Sequence, residues 1–552
     1  MAVSVRRFAL GWLMALCGLA VAASPALASH SQVAMFEDTG VVGNPGPTLH
    51  TLQLLGVDEV RIYMPWQDLA PAPRSKHRPS HFHGADPAAY PDAVWAPWDA
   101  AIRQAQTDGI TVNLDVAGGE PRWAAGPGLP TDKPHPSWDP DPAQYGAFYR
   151  AVATRYSGNY NPVTHRLDPK NHADLPAIGS WSVWNEPDYG PSLAPQGVPG
   201  HLRIERSPLT YRRLLDSAWT ALMQSGHSRD TILFGELAPR GYPAKEDPHY
   251  SWGVFSGMTP LNFLRNLYCV GPDWHPLKGT AARLRGCPTT AAGARGFRGA
   301  HPALFSASGF ADHPYSRWYP PNVEAKPDPN YSTLAQIGQL ETALDRLQRV
   351  YGSHRRFPIW DTEYGYITSP PKHPTRKLPY VSAATAAAYV NQAEYISWRD
   401  PRLASFMQYL LRDPVKATAG NTYGGFASGL VSFDGRLKVT YSAWRLPLYL
   451  PQTSFRRGRG VEVWGCARPV FFALRDVPGE QQTVEIQFAR AHSSSFSTLK
   501  TVAVTDPHGY VDTHLALPAS GTVRLVYHYP PDDPSFPSDY PVYSRHVHVT
   551  AH

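Results

Sequence analysis

From about residue 32 to residue 450 the chain alternates short strand-like runs with helix-like ones. Strand-length runs rich in β-branched and aromatic residues fall at Gln32–Phe36, Glu59–Met64, Ile110–Val116, Ile178–Trp184, Thr231–Glu236, Ala303–Ala311, Phe357–Trp360 and Leu403–Tyr409. Apolar spacing near 3.6 predicts helices over Pro47–Leu55, Asp99–Asp108, Tyr145–Tyr156, Pro208–Gln224 and Leu334–Tyr351. In the last of these Leu334, Ile337, Leu340, Leu344 and Leu347 form one stripe. Strands alternating with helices predict a parallel sheet covered by helices. Eight such units predict an α/β fold of the (β/α)8 TIM-barrel type. No Gly-x-Gly-x-x-Gly follows the first run, which disfavours a dinucleotide fold.

The pattern changes near residue 450. No helix-length period follows Leu450. Short alternating runs appear instead at Val461–Trp464, Thr483–Phe488, Lys500–Val504, Thr522–Tyr527 and Tyr543–Val549, separated by turn residues such as Pro478-Gly479. They predict a small C-terminal antiparallel β-sandwich, Ig-like in outline, over residues 451–552. The barrel is expected over residues 29–450.

Composition adds three constraints. The 552 residues are too many for one ordinary domain. With 56 prolines, 44 glycines and 17% charged residues, long ordered loops are expected, notably Pro71–Trp98, Leu193–Arg206 and Gly271–Pro302. A net charge of +6 without a dense basic block gives no nucleic-acid footprint.

The N-terminus carries Arg6 and Arg7, an apolar run from Phe8 to Ala23, and a small-x-small site at Ala26-Leu27-Ala28. That layout reads as a secretory signal peptide over residues 1–28, and predicts a secreted, extracellular mature chain with no membrane span. Its removal takes Cys17 and leaves Cys269, Cys287 and Cys466. Cys269 and Cys287 bracket a stretch containing glycine and proline and are expected to pair, since export favours disulfides. Cys466 is expected to be a buried free thiol. No CxxC or HExxH spacing is present, so no metal and no cofactor are expected.

In a barrel of this kind, reacting groups stand at the C-terminal ends of strands. The fourth run ends in Trp184-Asn185-Glu186-Pro187 and the seventh in Trp360-Asp361-Thr362-Glu363. Strands four and seven lie on opposite sides of the axis, so two carboxyls can approach one sugar from two sides. Cutting a glycosidic bond needs such a pair, one protonated and one ionised. Glu236 and Glu120 also stand near strand ends and are the fallback carboxyls.

Trp184-Asn185-Glu186-Pro187 resembles the acid/base motif of the clan A retaining glycoside hydrolases, (β/α)8 barrels, and is most similar to families 39 and 5 with their cellulase-like relatives. The resemblance implies Glu186 as acid/base, Glu363 as nucleophile and Asn185 as the partner of the sugar 2-hydroxyl. It further implies that Arg61 contacts the nucleophile and that His313 and Tyr315 stand near it. Trp66 and Trp123 resemble sugar-platform residues. The sequence departs from the clan at strand eight, where Gln408-Tyr409 stands in place of a tryptophan. The implied partner is a carbohydrate: a poly- or oligosaccharide, or a glycoside. Two alternatives use the same frame, a transglycosidase and a catalytically inactive carbohydrate-binding barrel; the intact Asn185-Glu186/Glu363 set argues against the second.

Overall fold

The computed structural model describes Ser29, residues 31–129, 137–168, 175–242, 257–368, 380–415, 426–532, Phe536 and residues 540–552. The segment read as a signal peptide, with Cys17, lies outside the described residues.

Eight strands run parallel in one sheet: β1 (Val33–Glu37), β2 (Glu59–Pro65), β3 (Thr111–Ala117), β4 (Ser180–Val183), β5 (Thr231–Leu237), β6 (Gly309–Asp312), β7 (Ile359–Asp361) and β8 (Ser405–Tyr409). They follow one another in chain order, and β8 pairs with β1, placing Met407 opposite Met35. The ring closes where Ile359 N–H donates to Arg402 O at 2.7 Å and Ala404 N–H donates to Ile359 O at 2.8 Å. This is a (β/α)8 barrel.

The two-residue period of a strand sorts its side chains. On β2, Val60, Ile62 and Met64 join the apolar core beneath the helices. Glu59 and Arg61, on the opposite face, are tied into polar networks in the barrel interior. Ser180 Oγ donates to Glu59 Oε1 at 2.8 Å, and Asn113 Nδ2 donates to Ser180 Oγ at 2.9 Å. The helices supply the outer apolar layer. In Pro142–Arg155, proline opens the helix and Asp141 caps it, accepting from Ala143 N–H at 2.8 Å. Its Tyr145, Phe148, Tyr149 and Val152 are buried.

Several sequence expectations are corrected. The run Ala303–Ala311 is not one strand: Ala303–Ser306 is a helical turn, and β6 starts at Gly309. A Cβ at Gly309 would stand 2.6 Å from the Trp360 ring, so that close approach needs glycine. The helix expected from Asp99 begins at Asp92 and runs through Pro97, because Trp95 and Trp98 bury their rings on either side of that breaker. The long loops are also partly built. Gly197–Val198 and His201–Glu205 form a hairpin. Gly279–Leu284 and Ala291–Ala300 are helices, and the Cys269–Cys287 disulfide joins the start of this segment to its middle.

After Leu446 the chain forms mainly antiparallel sheets. Leu448–Tyr449, Gly460–Cys466 and Tyr510–Ala516 make one; Ser454–Phe455, Val547–Ala551, Gly521–His528, Thr483–Arg490 and Ser497–Ala503 make another. Val461, Val463, Val484, Ile486, Phe488, Val523 and Leu525 fill the space between them. This is the expected β-sandwich, with one addition: Pro469–Asp476 is a helix where none was expected. A second aromatic layer, Trp398, Trp464 and Tyr510 with buried Cys466, seals the sandwich onto the barrel. Beside it Arg468, fully buried, donates to Glu394 and lies 3.9 Å over the Trp444 ring. Cys466 is a free thiol, as expected. Among the described residues no helix is long and apolar enough to cross a membrane.

Candidate active site

The C-terminal ends of β4 and β5 carry an unusual backbone. Trp184, Glu186 and Glu236 have φ of 66°, 41° and 49°, a left-handed region that costs non-glycine residues roughly 1–2 kcal/mol each. Such strain persists only where surrounding contacts impose it. Here they do. Trp184 N–H donates to Val116 O at 3.2 Å, and Glu186 N–H donates to Glu236 O at 2.9 Å. The Trp184 ring lies so near residue 118 that a Cβ there would meet it at 2.7 Å, which explains Gly118. The strained turn directs Asn185 and Glu186 over the barrel mouth.

Arg61, from β2, is the centre of the charge network, with no exposed side-chain surface. Its Nη1 donates to Glu37 and, at 3.0 Å, to Glu363 Oε1. Its Nη2 donates to Asp115 Oδ2 and to Asn185 Oδ1, each at 2.8 Å, and stands 3.3 Å from Glu236 Oε2. A planar guanidinium with five donors suits this many-sided task. Because Asn185 Oδ1 is engaged, its amide N–H groups are the ones left to face a ligand.

His313, from the end of β6, bridges three carboxylates. Nε2 lies 2.9 Å from Glu236 Oε2, and Nδ1 lies 3.1 Å from Glu186 Oε1 and 3.6 Å from Glu363 Oε2. Burial opposes a charge on this ring, but Glu363, Glu186 and Glu236 outweigh it and raise its pKa well above the ordinary value. His313 therefore acts as a cation with both nitrogens donating. Tyr315 Oη donates to Glu363 Oε2 at 3.1 Å. Glu186, His313 and Glu363 each present one atom within 4.8 Å of the other two, close enough for a metal ion, although such an ion would have to displace the protons of His313.

The carboxyls are electrostatically unequal. Burial pushes Glu363 upward, against the pull of His313 and Arg61. Burial also raises Glu37, to about 7. Glu236 goes the other way: despite burial, Arg61 and His313 hold it at about 2. It is the fixed anion of the site, completed by Thr362 Oγ1 donating to it at 2.7 Å.

Two cavities meet at this centre and share Asn185, Glu363 and Tyr409. The smaller, 400 Å³, is bounded by Glu37, Arg61, Tyr63, Asp68 and Trp98. The larger, 670 Å³, holds Glu186, Arg240, Tyr315, Arg317, Trp318 and Phe426.

The chain aligns with several solved structures. A glucosidase from Croceicoccus marinus aligns over 90% of this chain and 95% of its own at 13% identity, with a TM-score of 0.42. A family 39 glycoside hydrolase from Bacteroides cellulosilyticus WH2 aligns over 89% and 80% at 14% identity, TM-score 0.42. A family 1 β-glucosidase from Thermotoga maritima aligns over 75% and 96% at 12% identity, TM-score 0.40. No protein-family model matches the sequence, and no curated protein does.

Of the residues singled out from sequence, Arg61, Asn185, Glu186, His313, Tyr315 and Glu363 converge here. Trp66 and Trp123 do not. Trp66 is 1% exposed, stacked on Phe148 at 5.8 Å, and is a core residue rather than a sugar platform. Trp123 packs edge-on against Trp66 and donates through Nε1 to Pro71 O. Glu120 lies apart and accepts from Trp138 N–H. Glu37 and Asp115 join this centre although no sequence motif marks them, while Glu236 and Tyr409 are marked only as a fallback carboxyl and as the departure at strand eight. A carboxyl inside a buried strand, as in Thr111–Ala117 (TVNLDVA), is the signal that points to Asp115.

Proposed function

We propose that the protein is a glycoside hydrolase that acts with retention, using Glu363 as nucleophile and Glu186 as acid/base. The spacing carries this reading: one oxygen of each carboxylate lies within 4.8 Å of the other and of His313 Nδ1. Retention goes with carboxyl groups about 5–5.5 Å apart and inversion with about 6.5–9.5 Å, which leaves room for a water; so near an approach of single oxygens supports the retaining side of that division without itself measuring the separation of the two groups. Glu363 attacks the anomeric carbon while Glu186 gives its proton to the leaving oxygen. Glu186 then takes a proton from water, which displaces Glu363 and releases the sugar. Arg61 and Tyr315 each hold one oxygen of Glu363 and orient it. The free amide hydrogens of Asn185 are placed for the 2-hydroxyl, where a hydrogen bond strengthens as charge develops. Tyr409 takes the position at the end of β8 between the two cavities and offers its ring to the bound sugar.

The wider assignment includes export by residues 1–28, a barrel over 29–450 and a sandwich over 451–552, acting on a carbohydrate outside the cell. A disulfide fits an oxidising compartment.

The test is product release from a panel of aryl glycosides and polysaccharides by wild type, Glu186→Ala and Glu363→Ala, with azide added. Loss in both variants, and azide products of opposite anomeric configuration, supports the pair. Full activity in either variant overturns it.

A further inference from the structure

The two cavities differ in charge as well as size. The smaller carries Glu37, Asp38, Asp68 and Glu363 against one arginine, Arg61. The larger sets Glu186 and Glu363 against two, Arg240 and Arg317. If Glu186 protonates the leaving oxygen, the leaving group occupies the cavity that Glu186 lines, and Glu186 lines the larger. The sugar under attack then rests beside Asn185, Arg61 and Glu363, toward the smaller cavity.

The arginines of the leaving-group side are not alike. Arg240 is neutralised: it is paired with Glu324, and its Nη1 donates to Tyr315 O at 2.7 Å. Arg317 is exposed and has no carboxylate partner among the described residues; its guanidinium lies 5.7 Å from the Trp318 ring centroid. Its backbone sits at φ 58°, a left-handed conformation that an arginine adopts only under constraint. The constraint is local. Ser316, buried beside it, accepts from Tyr364 Oη at 3.2 Å, and Tyr319 N–H donates to Ser316 O at 3.1 Å. Around it stand flat surfaces, Tyr189 and Tyr242 at 42% and 62% exposure and Trp318. A ring that stacks on these and carries an acid would complete the free cation.

We propose that the leaving group of this enzyme is an anionic ring, a carboxylated sugar or a carboxylated phenol, whose carboxylate is bound by Arg317. The assignment of this cavity to the leaving group rests on the hydrolase reading above. An acid in the smaller cavity would meet three further carboxyls, so the acidic end of the substrate points one way only.

The experiment measures binding without turnover. Calorimetric titration of the full chain compares 4-hydroxybenzoate with neutral 4-hydroxybenzamide, and glucuronate with glucose, for wild type, Arg317→Gln and Arg317→Lys. For one or both acids we expect binding about tenfold tighter than the neutral partner, as one charge-assisted contact supplies. The preference should vanish in Arg317→Gln and be largely kept in Arg317→Lys. The pair that responds names the source of the acid. Equal affinity for acid and neutral partner, a preference that survives Arg317→Gln, or no binding of any probe overturns the proposal. Arg317-dependent binding in a chain inert on every glycoside would remove the hydrolase reading and keep the anion site. Turnover without that dependence would do the reverse.

Discussion

Glu236 Oε2 and His313 Nε2 face each other at 2.9 Å on the floor of the site, both without exposed side-chain surface, and with Glu363 and Glu186 this contact favours the charged ring. Glu236 touches neither cavity and is a positioning residue. Its substitution Glu236→Gln removes the fixed anion while keeping the shape. We expect kcat to fall roughly ten- to hundredfold, as removal of an outer partner of a reacting group commonly does, with a small change in KM. His313 should also lose its proton at lower pH in this variant, which the titration of its ring carbons by NMR reads directly. An unchanged His313 titration would refute the role.

The acid limb of the pH–rate profile should report Glu363. Its folded pKa is raised above the ordinary 4.5 by burial, so Glu363, as the proposed nucleophile, is protonated over a wider acidic range. Activity measured as kcat/KM should therefore decline as pH falls through a value above 4.5. Because His313 and Arg61 pull this pKa down, His313→Gln should shift the limb to still higher pH. A shift to lower pH would contradict the electrostatic account.

Glu59 gives a stability prediction away from the chemistry. Burial raises its carboxyl from 4.5 to about 7 in the folded chain. Between these values the folded state holds a proton that the unfolded state has released, so stability declines as pH rises from 4.5 toward 7. The full penalty, about 3 kcal/mol from a shift of this size, is present above the folded pKa and absent below the unfolded one. Glu59→Gln should remove it. Denaturant unfolding of both chains across this pH range should show curves that diverge as pH increases. Parallel curves would rule the penalty out.

Trp66 and Tyr409 separate packing from binding. Trp66→Ala should cost about 3–5 kcal/mol of stability, the usual result of truncating a buried tryptophan. At a temperature where it is folded, its KM should stay near that of wild type. Tyr409→Ala should do the opposite, weakening substrate binding with little loss of stability. Thermal unfolding and KM, measured on both variants, check the pair.

The barrel was legible because each strand has an apolar face. Val60, Ile62 and Met64 announce β2 by their spacing, and Leu340, Leu344 and Leu347 announce the helix Ile337–Val350. The ends were less legible. Ala303–Ala311 merges a helical turn with a strand, because both bury apolar residues and periodicity over so few residues cannot separate them. The proposed pair stood out in Asn185-Glu186 and Glu363 because polar groups close an apolar strand there. Asp115 and Glu37 needed the fold: a carboxyl inside a strand signals that some partner must neutralise it, but not that the partner is Arg61, from another strand. The tryptophans misled for a related reason: Trp66 follows a strand, where platforms stand, yet Phe148 and Tyr145 from a later helix cover it.

The seam between barrel and sandwich has a consequence for anyone dividing the chain. A cut near residue 450 follows the change in sequence pattern, but it would strip Arg468 from Glu394, which is 0% exposed. It would also bare the faces of Trp398 and Trp444 that now meet Trp464 and Arg468. A barrel expressed alone would keep Glu394 without its arginine beneath an uncovered aromatic face. The two halves, distinct in architecture, should therefore melt as one cooperative body, with the sandwich serving as the floor of the barrel's own foundations.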